Sequence, residues 1–235
     1  MGSLLMRRRM LFEQEVPYIY QRVSYIENTG NSFIAGGNLP NGNSLKFEVK
    51  HYRPSQATGE NALVYIKKQD AGLLEFAFTN SKNNAYLLYC SAKYLNLSSG
   101  KSASTATSGV VGQVNIAHCG YGQDAQVIIG ASTARIAARI YHNGSSSSFS
   151  ACSNTNGTTQ PFGGETVGMF ANPFTGGVAA TGRIYYLKVY VDGVLVQNYI
   201  PVYRISDGEI GMWESIGKTF YTNGGSGTFS KGADV

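Results

Sequence analysis

Trp213 and Glu214 are adjacent in the stretch IGMWESIGKTFYTNGGSGTF, which also contains the glycine-rich residues 223–227. Trp213 is the only tryptophan of this 235-residue chain. An aromatic ring beside a carboxylate could hold and cleave a sugar, and consecutive glycines can point backbone N–H groups at a phosphate. Sugar cleavage and phosphate binding each require particular secondary-structure elements nearby. The strands and turns around this stretch therefore decide whether it is a functional site or a β-hairpin.

The carboxylates near Glu214 do not form a glycosidase pattern. Glycoside hydrolysis needs two carboxyl groups that face one bond, one of them acting as an acid. The nearest partners in sequence are Asp207, which precedes Gly208 in a turn-forming pair, and Glu209. Glu209 and Glu214 are five positions apart, an odd interval, so they point to opposite faces of an unbroken strand. We predict that the protein is not an enzyme and assign no catalytic residue.

Neither of two glycine-rich motifs has the setting of a nucleotide site. Residues 223–227 are NGGSG, and GYGQDA at 120–125 matches the pattern G-x-G-x-x-A. A phosphate on such a loop is held at the N-terminus of a following helix. The sequences that follow, TFSKGADV and QVIIG, are typical of strands instead. We therefore predict turns at both places.

The metal-ligating residue types are dispersed. The three cysteines contain no CxxC spacing, and the histidines form no zinc pattern with them; these residues are Cys90, Cys119, Cys152, His51, His118 and His142. An odd cysteine count cannot form a closed disulfide framework. We predict no cofactor and no metal. Calcium stays open as an alternative through Asp124 and Asp192, although Asp192 is also explained by a turn, and calcium needs about six to eight oxygen ligands.

Alternation with a period of two dominates the chain after residue 16. In SLKFEVK the apolar residues are Leu45, Phe47 and Val49, and in IYYLKVYV they are Leu187, Val189 and Val191. Asp192-Gly193 and Asp207-Gly208 predict two-residue hairpin turns. ASTARIAARIYH at 131–142 could be a helix from its composition, but its alternation favours a strand. We predict an all-β, antiparallel two-sheet β-sandwich, formed by one domain at 17–235 after an N-terminal basic arm or short helix at 1–16.

Two segments of low complexity interrupt this pattern. Residues 98–109 and 143–159 are rich in serine, threonine and glycine, and they can bury little apolar area. We predict that both are surface loops, and surface loops carry much of the variable chemistry of sandwich domains.

The charge distribution argues against nucleic-acid binding, and the short apolar runs argue against membrane insertion. The formal net charge is +5, and part of the excess lies in the run Arg7-Arg8-Arg9. No stripe of lysine and arginine interleaved with aromatic residues is evident along the rest of the sequence, so we predict no nucleic-acid binding. The chain start lacks a signal-peptide layout, and no apolar run approaches the roughly 20 residues of a membrane helix.

Three parts of the sequence carry a family resemblance: YIYQRVSYIENTGNSFI near the start, residues 182–235 at the end, and the leader MRRRMLFEQE. The two ends resemble concanavalin A-like (LamG-like) jelly-roll domains of phage structural proteins and gut-bacterial surface proteins, and the leader is similar to leaders of phage-encoded proteins of this type. It implies two antiparallel sheets packed face to face, with the first and last strands adjacent. It carries over no catalytic residue.

The functional expectation that follows is a non-enzymatic virion protein, such as a head-fibre, decoration or tail component. Arg7, Arg8 and Arg9 would anchor the arm to other virion proteins, and the loops would bind host glycans. An aromatic ring with a nearby amide or carboxylate suits a sugar, and the candidates are Tyr121 with Asp124 and Tyr141 with Asn143. Particle components are commonly closed homo-oligomers. The alternative is a carbohydrate-binding module on the surface of a bacterium or secreted by it.

Overall fold

A computed structural model shows which residues form the strands and how they pair. It describes the backbone of residues 16–42, 44–53, 61–68, 71–78, 84–89, 93–96, 104–105, 114–115, 123–132, 135–142, 145–153, 163–170 and 181–235, and the side chains of 16–42, 47–52, 63–66, 163–170 and 181–235. The strands are β1 (Tyr20–Arg22), β2 (Ile26–Asn28), β3 (Ile34–Asn38), β4 (Ser44–Arg53), β5 (Asn61–Lys68), β6 (Ala71–Phe78), β7 (Asn84–Tyr89), β8 (Lys93–Asn96), β9 (Ser104–Thr105), β10 (Val114–Asn115), β11 (Gln123–Ser132), β12 (Arg135–His142), β13 (Ser145–Ser153), β14 (Thr166–Met169), β15 (Gly182–Val191), β16 (Val194–Arg204), β17 (Ile210–Glu214), β18 (Thr219–Thr222) and β19 (Phe229–Lys231).

These strands form two antiparallel sheets. The larger sheet has the order β13-β12-β11-β4-β15-β16-β17-β18, with β1 paired to β16 and with β2 paired to both β15 and β19. The smaller sheet has the order β3-β14-β5-β6-β7-β8-β9, with β10 paired to β7. The described residues contain no helix, and thus no helix long and apolar enough to cross a membrane. The predicted all-β, two-sheet architecture is confirmed.

The two ends of the domain meet in the larger sheet. β2 pairs with β19, so that Ile26 lies opposite Lys231 and Asn28 opposite Phe229. Ser24 N also donates to the carbonyl oxygen of Ala233 at 2.8 Å. The resemblance implies that the first and last strands are adjacent; the structure places the last strand beside the second strand β2, while the first strand β1 pairs with β16.

The core follows the alternation of the sequence. Phe47 and Val49 on β4 lie opposite Val189 and Leu187 on β15, and all four side chains are fully buried. Their outward neighbours on both strands are half-buried. One face of these strands is buried and the other faces solvent. A shift of one residue in the pairing of β4 with β15 would expose all the apolar side chains, so this register is strongly specified.

A buried tyrosine joins the two sheets. Tyr199 on β16 is fully buried, and its hydroxyl accepts a hydrogen bond from Gly37 N at 2.8 Å and donates one to Gln197 Oε1 at 3.0 Å. Gln197 Nε2 in turn donates to the carbonyl oxygen of Asn38 at 3.1 Å. Burial raises the pKa of Tyr199, so its hydroxyl stays protonated and can keep donating.

The two predicted hairpin turns differ. Asp192 and Gly193 have φ of 48° and 80°, and Val191 pairs with Val194, which is the two-residue turn predicted there. Asp207-Gly208 lies in a longer loop, in which Arg204 N donates to the carbonyl oxygen of Glu209 and only Gly208 has a positive φ. The hairpin is confirmed, but its predicted two-residue turn is wrong, because the chain closes between Arg204 and Glu209, which leaves four residues in the loop.

One of the two predicted surface loops is wrong. Residues 145–153, within the serine-rich segment 143–159, form β13, which pairs along its length with β12. β13 is the terminal strand of the larger sheet, so it needs a partner on one side only, and backbone pairing compensates for its low apolar content. Residues 98–109 include the two-residue strand β9, and the predicted strand at 131–142 is confirmed as the end of β11 followed by β12. Residues 1–15, including Arg7, Arg8 and Arg9, lie outside the described residues.

Candidate functional site

Glu214 caps the turn between β17 and β18. It is 4% exposed, and its Oε1 accepts hydrogen bonds from Asn198 N at 2.8 Å and Ile216 N at 2.9 Å. Its Oε2 accepts a third from Gly217 N at 2.5 Å. These donors belong to the backbone of β16 and of the turn, so the carboxylate satisfies buried N–H groups. It has the setting of a structural residue.

No other carboxylate of this hairpin can work with Glu214. Glu209 and Glu214 lie just before and at the end of β17, five residues apart along extended chain, or roughly 16 Å. Glycosidase carboxyl groups are about 5 to 9.5 Å apart. Asp207 is engaged by Arg204, whose Nη2 donates to Asp207 Oδ2 at 2.6 Å, and this contact lowers the pKa of the carboxyl. The hairpin therefore contains no glycosidase pair.

The glycine-rich residues 223–227 form a packed turn. Asn223 Oδ1 accepts from Gly225 N at 2.8 Å and from Phe33 N at 3.2 Å, while Gly227 N donates to the carbonyl oxygen of Asn31. A Cβ on Gly225 would clash with the carbonyl oxygen of Asn31. These glycines therefore allow close approach of two backbone segments, and β19 follows the loop, as the sequence predicts.

Trp213 lies in an apolar cluster on the outer face of the larger sheet. It is 6% exposed and packs with Ile200 and Val202, and the cluster is completed by Val16, Tyr20 and Phe220. The ring centroids of Trp213 and Tyr20 are 5.2 Å apart. The segment that leads into β1 covers the tryptophan, so Trp213 is a packing residue and not an open platform for a sugar.

The same outer face carries a second region, which we call the tyrosine–cation surface. It is formed by half-buried side chains of β4 and β15, together with Tyr25, which precedes β2, and Glu27 on β2. Its residues are Tyr25, Glu27, Glu48, Lys50, Tyr52, Arg183, Tyr185, Tyr186 and Lys188. The guanidinium of Arg183 lies over two rings, 4.5 Å from the centroid of Tyr25 and 4.7 Å from that of Tyr52.

Arg183 is the centre of a network of contacts among these side chains. Arg183 Nε donates to Glu27 Oε1 at 3.1 Å, and the Tyr25 and Tyr185 rings meet edge to face at 5.7 Å. Burial lowers the pKa of Arg183, but hydrogen bonding and charge from Glu27 outweigh it and raise the pKa overall. The surface is therefore an ordered array of rings and charges.

A β-bulge places two neighbouring tyrosines on this surface. β4 residues His51 and Lys50 pair with Ile184 and Tyr186, which leaves Tyr185 as an extra residue of β15. Tyr185 and Tyr186 are both half-buried and outward, whereas strict alternation would place Tyr185 on the face of Leu187. Bulges commonly re-aim side chains in this way.

The predicted sugar-binding residues are only partly placed. Tyr121 and Asn143 lie outside the described residues. Asp124 on β11 pairs with Tyr52, and Tyr141 on β12 pairs with Gln126, which itself pairs with Lys50. The backbone register therefore puts Asp124 and Tyr141 on the sheet face that carries the tyrosine–cation surface, and their role in sugar binding stays a prediction.

The sequence pattern did not predict this surface. Lysine, arginine and tyrosine alternate with apolar residues on each strand, so no cluster is evident along the sequence; only pairing of β4 with β15 brings Tyr52 and Arg183 together. The outward-facing residues of the two strands, compared side by side, were the signal that could have revealed the surface.

The described residues offer no group of three ligating side chains for a metal ion. The two calcium candidates are also far apart, because Asp124 lies beside Tyr52 at one end of β4, and Asp192 follows Val191, which pairs with Leu45 at the other end. Seven residues of strand separate these positions, or roughly 23 Å. Asp124 and Asp192 cannot share one ion.

A cavity of about 320 Å³ lies between the turn after β16 and the loop before β19. Its polar lining includes Asp207, Glu209, Asn223 and Thr228. Asp207 is engaged by Arg204, and the Asn223 side chain by the backbone of its own loop. Few of its polar groups remain for a ligand, so we favour the tyrosine–cation surface as the candidate site.

Comparison with known proteins supports the fold. No family model and no curated protein matches the chain. A solved structure from Bacteroides ovatus, of a protein provisionally assigned carbohydrate binding, is 12% identical with a TM-score of 0.51, covering 91% of this chain and 62% of that one. A heptameric SAP-like pentraxin from Limulus polyphemus is 17% identical with a TM-score of 0.46, covering 74% of this chain and 77% of that one. The chain thus spans less than two thirds of the Bacteroides protein.

Proposed function

We propose that this concanavalin A-like jelly-roll protein binds glycans, without cleaving them, through the tyrosine–cation surface. The observation that supports this is the array of tyrosines and charged groups on the outer face of β4 and β15. Sugars present hydroxyl groups and small apolar C–H patches, which tyrosine hydroxyls and ring edges can contact. The likeness to the Bacteroides ovatus protein is compatible with this proposal.

Replacing Tyr185 with alanine should weaken glycan binding roughly tenfold, the factor that corresponds to about 1.4 kcal/mol of lost ring contact. The measurement is a glycan array with the full chain, followed by calorimetric titration with the glycans it retains. Tyr18, 87% exposed beside β1 and not one of the residues of this surface, provides the matched control.

Tyr18→Ala should bind as the unchanged protein does. The proposal is overturned if the array retains no glycan, or if Tyr185→Ala binds with undiminished affinity while its circular dichroism spectrum is unchanged.

We further propose that the protein is an adhesion or structural component of a phage particle. The resemblance of both chain ends to phage jelly-roll domains and the basic run Arg7-Arg8-Arg9 support this. Many copies on one particle would convert weak single-site binding into avidity. The other virion proteins would be contacted by the arm, and a homo-oligomer would suit such a position.

Deleting residues 1–15 should abolish particle association and leave a folded β domain. The cut is placed before Val16 because Val16 packs against the Trp213 cluster. Co-sedimentation with particles measures the association, and circular dichroism checks the fold. Retained association of the shortened chain would contradict the role of the arm; glycan binding without any particle association of the full chain would favour the bacterial surface or secreted module instead.

A further inference from the structure

We infer that the tyrosine–cation surface selects acidic glycans, whose sugar rings carry carboxylates; this inference rests on the proposed function. The described part of the surface has three cationic side chains, Lys50, Arg183 and Lys188, against two carboxylates. Both carboxylates are already engaged by the protein. Glu27 accepts from Arg183, and Glu48 accepts from the Tyr186 hydroxyl at 3.0 Å.

Arg183 has the geometry of a carboxylate receptor. Its guanidinium is held between the rings of Tyr25 and Tyr52 and is fixed at Nε by Glu27, while its side chain remains 30% exposed. A guanidinium has five N–H donors in a planar fork; this one also hydrogen-bonds Tyr185, and further donors remain for a second carboxylate. Because the group is already ordered, binding costs little additional side-chain entropy.

The lysines extend the positive region along β4 and β15. Lys50 Nζ lies 4.7 Å from the ring centroid of Tyr185, and Lys188 Nζ lies 5.4 Å from that of Tyr186. A sugar acid could thus contact a tyrosine through its hydroxyls and a neighbouring ammonium through its carboxylate. A neutral sugar would use the tyrosines alone, so charge supplies the selectivity.

The same contacts disfavour single-stranded nucleic acid as the ligand. Stacked bases require open aromatic faces. The rings of Tyr25, Tyr52, Tyr185 and Tyr186 are each approached by a cation of this chain. A base would have to displace these cations, whereas a sugar acid can bind at ring edges and hydroxyls.

The test compares each acidic glycan with its own neutral form. The full chain is titrated with oligogalacturonate and sialyllactose, and with the methyl esters of both, at low and high salt. We expect the acids to bind roughly tenfold more tightly than their esters at low salt, with the difference shrinking as salt screens the charges. Lys188→Met, which keeps an apolar stem on Tyr186 but removes one of the three cations, should reduce the preference, while Lys218→Met in the exposed β17–β18 turn should leave it unchanged.

Each other result has a defined meaning. Equal binding of acids and esters overturns the acidic selectivity and leaves glycan binding intact. Binding only to neutral glycans likewise overturns the acidic selectivity and leaves glycan binding intact. If no glycan binds, the proposed function is overturned as well. If a single-stranded oligonucleotide binds as tightly as the acids and is equally weakened by Lys188→Met, the surface recognises polyanions and the inference is wrong.

Discussion

Replacing Glu214 with alanine should lower the free energy of unfolding by about 2–4 kcal/mol, because three backbone N–H groups lose their acceptor. Asn198 N is buried within the sheet and has no access to water in its place. Ile216 N and Gly217 N are part-buried in the turn and can be partly rehydrated, so their contribution is smaller. Urea unfolding followed by the fluorescence of Trp213, the only tryptophan, measures the change.

Two matched variants separate this structural role from a catalytic one. Glu214→Gln keeps an oxygen for Asn198 N and Ile216 N but turns an NH₂ group towards Gly217 N, so it should cost about 1–2 kcal/mol. Glu209→Gln, just before the same strand, should change stability by about 0.5 kcal/mol or less. A Glu214→Ala protein of unchanged stability that has lost a glycan-hydrolysing activity would contradict our assignment.

The alternation on single strands was sufficient to predict much of the fold. Phe47 and Val49 on β4 and Leu187 and Val189 on β15 have the predicted buried faces, since local periodicity directly records which face is dry. The same reasoning failed for β13, because a serine-rich strand at a sheet edge carries almost no hydrophobic signal. The Asp207 turn failed for another reason: the Asp-Gly pair does not record that the loop is longer and closes between Arg204 and Glu209.

Most contacts of the candidate site could not be predicted from the sequence. Tyr25 precedes β2, Tyr52 lies on β4 and Arg183 lies on β15, so their contact depends on the register of β2 and β4 with β15. The outward position of Tyr185 depends on a bulge that breaks the alternation. Register and bulges are set by tertiary pairing, so a one-dimensional pattern can predict which residues face outward but not which of them meet.

Replacing Trp213 with alanine should cost about 3–5 kcal/mol, the usual effect of emptying a buried aromatic site. The cluster around Trp213 lies outside the inter-sheet core and binds the start of the domain to the sheet, since Val16 and Tyr20 pack on it. The loss should therefore be localised: amide hydrogens of β1, which pairs with β16, should exchange faster, while those of β15 stay protected. Hydrogen exchange with mass spectrometry and calorimetric unfolding provide the two measurements.

Trp213→Phe is the matched control, because a smaller ring retains contact with Tyr20 and Phe220, which are 4.7 Å apart between centroids. It should cost about 1–2 kcal/mol and leave the exchange of β1 nearly unchanged. Glycan binding should be the same in both variants wherever they are folded, because the Trp213 cluster and the tyrosine–cation surface are formed by different residues. A Trp213→Ala protein that keeps its stability but loses glycan binding would show that the tryptophan contacts sugar. Stability and binding measured together on these two variants therefore distinguish a packing residue from a binding residue.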